Sequence, residues 1–102
     1  MLKTLNVKTV PYLSNIIKIV TNVTTLVLPP GVPSFNVYIK IDNVLFQTIV
    51  IENTAPQKIS VDRTIYPGEA IKIEADLPDG VTYSTLDIKL ICSSIVTVNT
   101  GL

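Results

Sequence analysis

The sequence predicts an all-β fold, a jelly-roll-like antiparallel β-sandwich of about eight short strands in a single domain spanning residues 1–102. Three observations carry this. Valine, isoleucine and threonine dominate, and their β-branched side chains pack well on a pleated surface. Short stretches alternate apolar and polar residues with period two. Gly, Pro, Asn and Asp clusters separate those stretches. No window combines a helical period with a cap and a stop.

Leu5 to Val10 and Ile16 to Val20 read as strands separated by a break at Pro11. Thr24 to Leu28 is a third candidate, ended by Pro29-Pro30-Gly31-Val32-Pro33. From Phe35 to Asp42 the alternation is strict, with Phe35, Val37, Ile39 and Ile41 on one side and Asn36, Tyr38, Lys40 and Asp42 on the other. Asp42-Asn43 supplies two residues tolerant of positive φ, as a tight hairpin turn needs, and Val44 to Ile51 is the return strand. Lys58 to Asp62 follows with Ile59 and Val61 inward. After a turn at Pro67-Gly68, Ala70 to Ala75 places Ile71 and Ile73 on one face, opposite Lys72 and Glu74. Pro78-Asp79-Gly80 is a further turn. Thr85 to Cys92 then sets Leu86, Ile88, Leu90 and Cys92 inside, and Ile95 to Val98 makes a last short strand.

An internal echo runs through this pattern. Leu28-Pro29-Pro30-Gly31-Val32, followed by Ile39-Lys40-Ile41, recurs 49 residues later as Leu77-Pro78-Asp79-Gly80-Val81, followed by Ile88-Lys89-Leu90. Ile17-Lys18-Ile19 is echoed by Ile71-Lys72-Ile73, and Thr9-Val10-Pro11 loosely by Thr64-Ile65-Tyr66-Pro67, with small gaps. Such spacing is what a duplicated motif of about fifty residues leaves, with repeats at 5–50 and 59–99; two generic strand-turn-strand units also look alike.

Catalytic chemistry is poorly provided for, and no enzyme is expected. The chain has no histidine, which removes the commonest general base, the usual metal ligand and every histidine-assisted nucleophile. Cys92, the lone cysteine, cannot form an internal disulfide and is read as a small core hydrophobe. Asp76 and Asp79 flank Pro78, but two turn carboxylates are few for a calcium site, so neither metal nor cofactor is expected. Gly31, Gly68, Gly80 and Gly101 are scattered and form no phosphate-cradling loop.

Charge is sparse and uneven. Only 16% of residues are charged, leaving few charges to discourage association. Residues 1–41 hold Lys3, Lys8, Lys18 and Lys40 and no acid, whereas all eight acids lie beyond. Such polarity orients a protein between differently charged surfaces unless the two halves interleave in space. These four lysines are the candidate partner-binding residues. With only Tyr12 and Tyr38 as the nearest aromatics, they read as solvated strand exteriors and not as a nucleic-acid interface. Lys18, Asn22 and Lys40 interrupt the apolar stretches, so no membrane span is expected. The first residues show no secretory h-region, which leaves the sequon Asn22-Val23-Thr24 without a role.

From Phe35 onward, over about sixty residues, the chain resembles a small β-sandwich domain that recurs in virion proteins of tailed bacteriophages. The resemblance rests on Val37-Tyr38-Ile39-Lys40-Ile41-Asp42-Asn43-Val44-Leu45-Phe46, then Ile59-Ser60-Val61-Asp62, Pro67-Gly68-Glu69-Ala70-Ile71-Lys72-Ile73 and Leu86-Asp87-Ile88-Lys89-Leu90. It implies a capsid decoration or auxiliary protein, or a tail or fibre component, with no active site. Such proteins act by burying surface against capsid or tail subunits, often self-associate, and are assembled into the virion in the host cytoplasm. The alternative expectation is a protein- or peptide-binding module that uses a sheet edge or a groove between two similar motifs. Carbohydrate binding ranks behind both, because it usually needs exposed aromatics.

Overall fold

Seven strands build the computed structural model, which describes residues 1–93: β1 (Leu2–Thr9), β2 (Ser14–Thr24), β3 (Phe35–Ile41), β4 (Val44–Ile51), β5 (Lys58–Ile65), β6 (Ala70–Asp76) and β7 (Thr85–Ser93). The strand expected over Ile95 to Val98, Gly101 and the end of the second repeat lie outside the described residues. The strands form two antiparallel sheets, one in the order β1-β6-β3-β4 and one in the order β5-β2-β7. The fold is a β-sandwich. Strands β3 and β4 form an inner hairpin, β2 pairs with β5 outside it, and β1 with β6 outside that; this is the nested wrapping of a jelly roll, with β7 added beside β2.

Alternation places the core. Strand β3 is buried at every second residue, at Phe35, Val37, Ile39 and Ile41, because it is central in its sheet and has one face covered. Ile49 and Ile51 of β4 and Ile73 and Ala75 of β6 sit beside it on the same face. The three-stranded sheet answers with Ile16, Ile19 and Val23 of β2 and Ile65 of β5. Ile59 and Val61 pack against this cluster from β5, and Ile71 from β6. Strict period two fails in β2, where the register shifts at Ile17 against both neighbours. This irregularity turns both Ile16 and Ile19 into the core and leaves Ile17 exposed.

The Asp42-Asn43 hairpin forms as the residue types demand, with φ of 50° and 65°. The candidate strand over Thr24 to Leu28 does not form. Thr24 ends β2, Thr25 takes a left-handed φ of 49°, and Val27 makes a single bridge to Thr82. The apolar run here is a crossover between sheets, and β-propensity yields to the need to turn the chain.

The two sheets share one wiring. Replacing β1, β2 and β3 by β5, β6 and β7, and vice versa, converts the order β1-β6-β3 into β5-β2-β7. Equivalent crossovers meet at each end of the sandwich. At one end Val10 N–H donates to the Glu69 carbonyl (2.9 Å) and Gly68 N–H to the Val10 carbonyl (2.8 Å). At the other, Val27 and Thr82 exchange N–H to carbonyl bonds of 2.8 and 3.0 Å. Each crossover at that end contains a Pro-initiated turn, Pro29 to Val32 and Pro78 to Val81, closed by an N–H to carbonyl bond. Gly31 and Gly80 take φ of +81° and +86° at the third position, which a type II turn requires.

Candidate functional site

The ionisable residues do not converge. No group of three or more His, Cys, Asp or Glu residues is placed to hold a metal among the described residues. Asp76 lies 3.5 Å from the amino group of Met1, and Asp79 sits exposed at its turn. No helix among the described residues is long and apolar enough to cross a membrane.

Cys92 departs from its expected place in the core. Its phase is inward, since it pairs with the buried Ile16, but the residue is exposed. Among the described residues β7 is an edge strand, and its inward side chains Leu86, Ile88 and Leu90 are only half-buried. Partial burial still pushes the Cys92 thiol up from its ordinary pKa, with Lys8 acting the other way.

The four candidate lysines are split between faces. Lys18 is on the outer face of the three-stranded sheet, because its neighbour Ile19 faces the core. Lys40 is on the outer face of the four-stranded sheet, with Nζ 2.8 Å from Glu74 Oε1. Only Lys3 and Lys8 share a strand, β1, where both are exposed. The halves of the chain interleave, with β6 between β1 and β3 and β2 between β5 and β7, so the charge difference along the sequence is dispersed in space.

Around Glu74 the outer face of the four-stranded sheet is organised by charge. Lys40 and Lys72 are directly opposed across β3 and β6, a repulsive arrangement by itself. Glu74 contacts both, with Lys72 Nζ at 3.6 Å, and is flanked by Tyr38 and Thr4 as its cross-strand partners. Only 5% of Glu74 remains exposed. The adjacent Lys40 ammonium holds its carboxyl below the usual value, outweighing the opposing effect of burial, and Lys72 adds to this.

Two features look outward for a partner. The first is β4, an edge strand among the described residues, of sequence VLFQTIVI with no charge, on which Val44, Leu45 and Val50 are exposed. Gln57 Nε2 donates to the Val50 carbonyl (2.7 Å), so the connection to β5 covers the far end and leaves the Val44 end open. The second is a groove between the sheets where β1 faces β7. A cavity of about 480 Å³ is lined there by Val10, Ile71, Ile73, Ile88 and Leu90, with Asn6, Lys8 and Cys92 at its lips. A neighbouring cavity of about 810 Å³ continues it past Leu5 and Leu86.

The uncharged β4 was visible in the sequence, although nothing local marked it as an edge. The sequence raised a groove between two similar motifs as an alternative but not its position or lining; Lys3, Asn6 and Lys8 acquire a phase only once their partners Ala75, Ile73 and Ile71 are known. Comparison with protein-family models, with curated proteins and with solved structures found no match.

Proposed function

We propose that this chain is a non-enzymatic structural protein that acts by burying its sheet edges against other protein subunits, as a capsid decoration, auxiliary or tail-associated component of a virus particle. The observation that carries the edge-burial reading is β4. Edge strands of free-standing proteins are usually blunted by charge, proline or a covering element, because their unpaired N–H and C=O groups recruit further strands. Strand β4 has a register shift near its start but neither charge nor proline, and it presents Val44 and Leu45 beside the open edge. Self-association through this strand, or docking on a shell or tail subunit, buries both the polar edge and the apolar side chains. The particle context rests on the strand-and-turn pattern of the sequence from Phe35 onward.

Two measurements test this reading. Sedimentation of the purified chain gives its association state; Leu45→Lys is expected to shift it towards monomer with the circular dichroism spectrum unchanged. Mass identification of the proteins in purified particles then decides the context, and absence from the particle refutes it. The inter-sheet groove favours a second reading, a module that accepts an extended peptide, and its occupant is argued next.

A further inference from the structure

The groove beside β7 has the shape and chemistry of a place for one more strand. On the equivalent side of the sandwich, β4 pairs with β3, and β3 corresponds to β7 in the shared wiring of the sheets. Among the described residues β7 pairs with β2 alone, and none of them pairs with its other edge. The inward side chains Leu86, Ile88 and Leu90 are half-buried, and Leu5, Ile71 and Ile73 face them across the gap. An apolar wall beside a free main-chain edge selects an extended segment with apolar residues at alternate positions.

The lip opposite β7 adds a charge requirement. In an antiparallel pair, directly opposed residues point to the same face. Lys3, Asn6 and Lys8 oppose Ala75, Ile73 and Ile71, so β1 presents two lysines on the groove side of its sheet. Neither lysine forms an ion pair among the described residues. Residues 94–102 contain no acid to meet them. The edge strands of a second copy are no better suited: β1 and β4 carry no acid, and β5 and β7 carry one each, Asp62 and Asp87, beside basic residues of their own.

We infer that the β1–β7 groove binds an extended strand of a different protein, in which apolar residues alternate with polar ones and acidic residues meet Lys3 and Lys8. This rests on the reading of the chain as a module that works through its sheet edges, and it names a second edge besides β4.

Cys92, the only cysteine and an exposed lining residue of the groove, reports occupancy in the full chain. The experiment measures the rate of Cys92 modification by a maleimide with two short blocked peptides, one alternating valine with glutamate and one alternating valine with lysine. The glutamate peptide is expected to slow modification several-fold and the lysine peptide to leave it unchanged. The Lys3→Glu, Lys8→Glu double variant is expected to reverse that preference, and Lys58→Glu, on the far edge strand β5, to preserve it. The inference is overturned if neither peptide protects Cys92, or if both protect it equally. It is also overturned if Cys92 is already unreactive in the peptide-free chain, since the chain's own residues or a second copy then fill the groove. Loss of association in Leu45→Lys together with an unprotected Cys92 removes the groove assignment while leaving the edge-docking reading intact.

Discussion

Lys40 and Glu74 meet on the outer face of the four-stranded sheet, Nζ to Oε1 at 2.8 Å, and Glu74 is more deeply buried there than several apolar residues of the same sheet. A carboxylate whose pKa falls on folding contributes stability that is present above its unfolded value. That contribution is lost as pH drops through the folded value. The thermal midpoint is therefore expected to fall as pH is lowered through and below the ordinary glutamate value of 4.5. Glu74→Gln is expected to flatten that acid limb and to lie below the native protein at neutral pH. Midpoints by circular dichroism across this range check it; parallel curves for the two proteins would rule the assignment out.

Packing predictions follow from β3 and β4. Ile39 is fully buried in the central strand, so Ile39→Ala is expected to cost about 2–5 kcal/mol in chemical denaturation. Val50→Ala, at an exposed position of β4, is expected to change stability by no more than about 0.5 kcal/mol.

Thr21 is a buried polar residue with a specific task. Its Oγ1 accepts the Gln57 N–H at 3.0 Å, and Thr21 N–H donates to the Gln57 carbonyl at 3.0 Å, which joins β2 to the start of β5. Thr21→Val keeps the shape and removes the acceptor, with an expected loss of about 1–3 kcal/mol. Thr21→Ser keeps the hydroxyl and is expected to lose less, and comparison of the two denaturation curves separates the hydrogen bond from the methyl group.

Gly80 of one turn lies beside Pro29 of the equivalent turn. A Cβ at Gly80 would lie 3.5 Å from Pro29 Cβ, which is ordinary contact, so the cost of substitution comes from the φ of +86°. Gly80→Ala is expected to destabilise by about 1–2 kcal/mol and Gly80→Asn by less, because asparagine tolerates left-handed backbone. Equal losses for both variants would place the cost elsewhere.

Much of the fold was legible because it is written locally. The alternation over Phe35 to Ile41 assigned each side chain to its correct face, and Asp42-Asn43 announced its hairpin, since pleating and turn geometry depend on adjacent residues. The strand expected at Thr24 to Leu28 failed because Val27 answers to Thr82, which is distant in sequence. Cys92 has the inward phase read from its strand yet is exposed, because phase is local and cover is not.

The sequence by itself determined an all-β chain without histidine chemistry, the facing of its main strands and the echo between its two turns. Only the tertiary structure decided which strands are central and which are edges. That choice separated Lys40 from Lys18, left β4 at an edge of its sheet and set Lys8 at the lip of an apolar groove, with Lys3 on the same side of β1. The reason is physical: strand order is fixed by how much apolar surface each long-range pairing buries, and the period-two pattern of a strand carries no record of the neighbour it will meet.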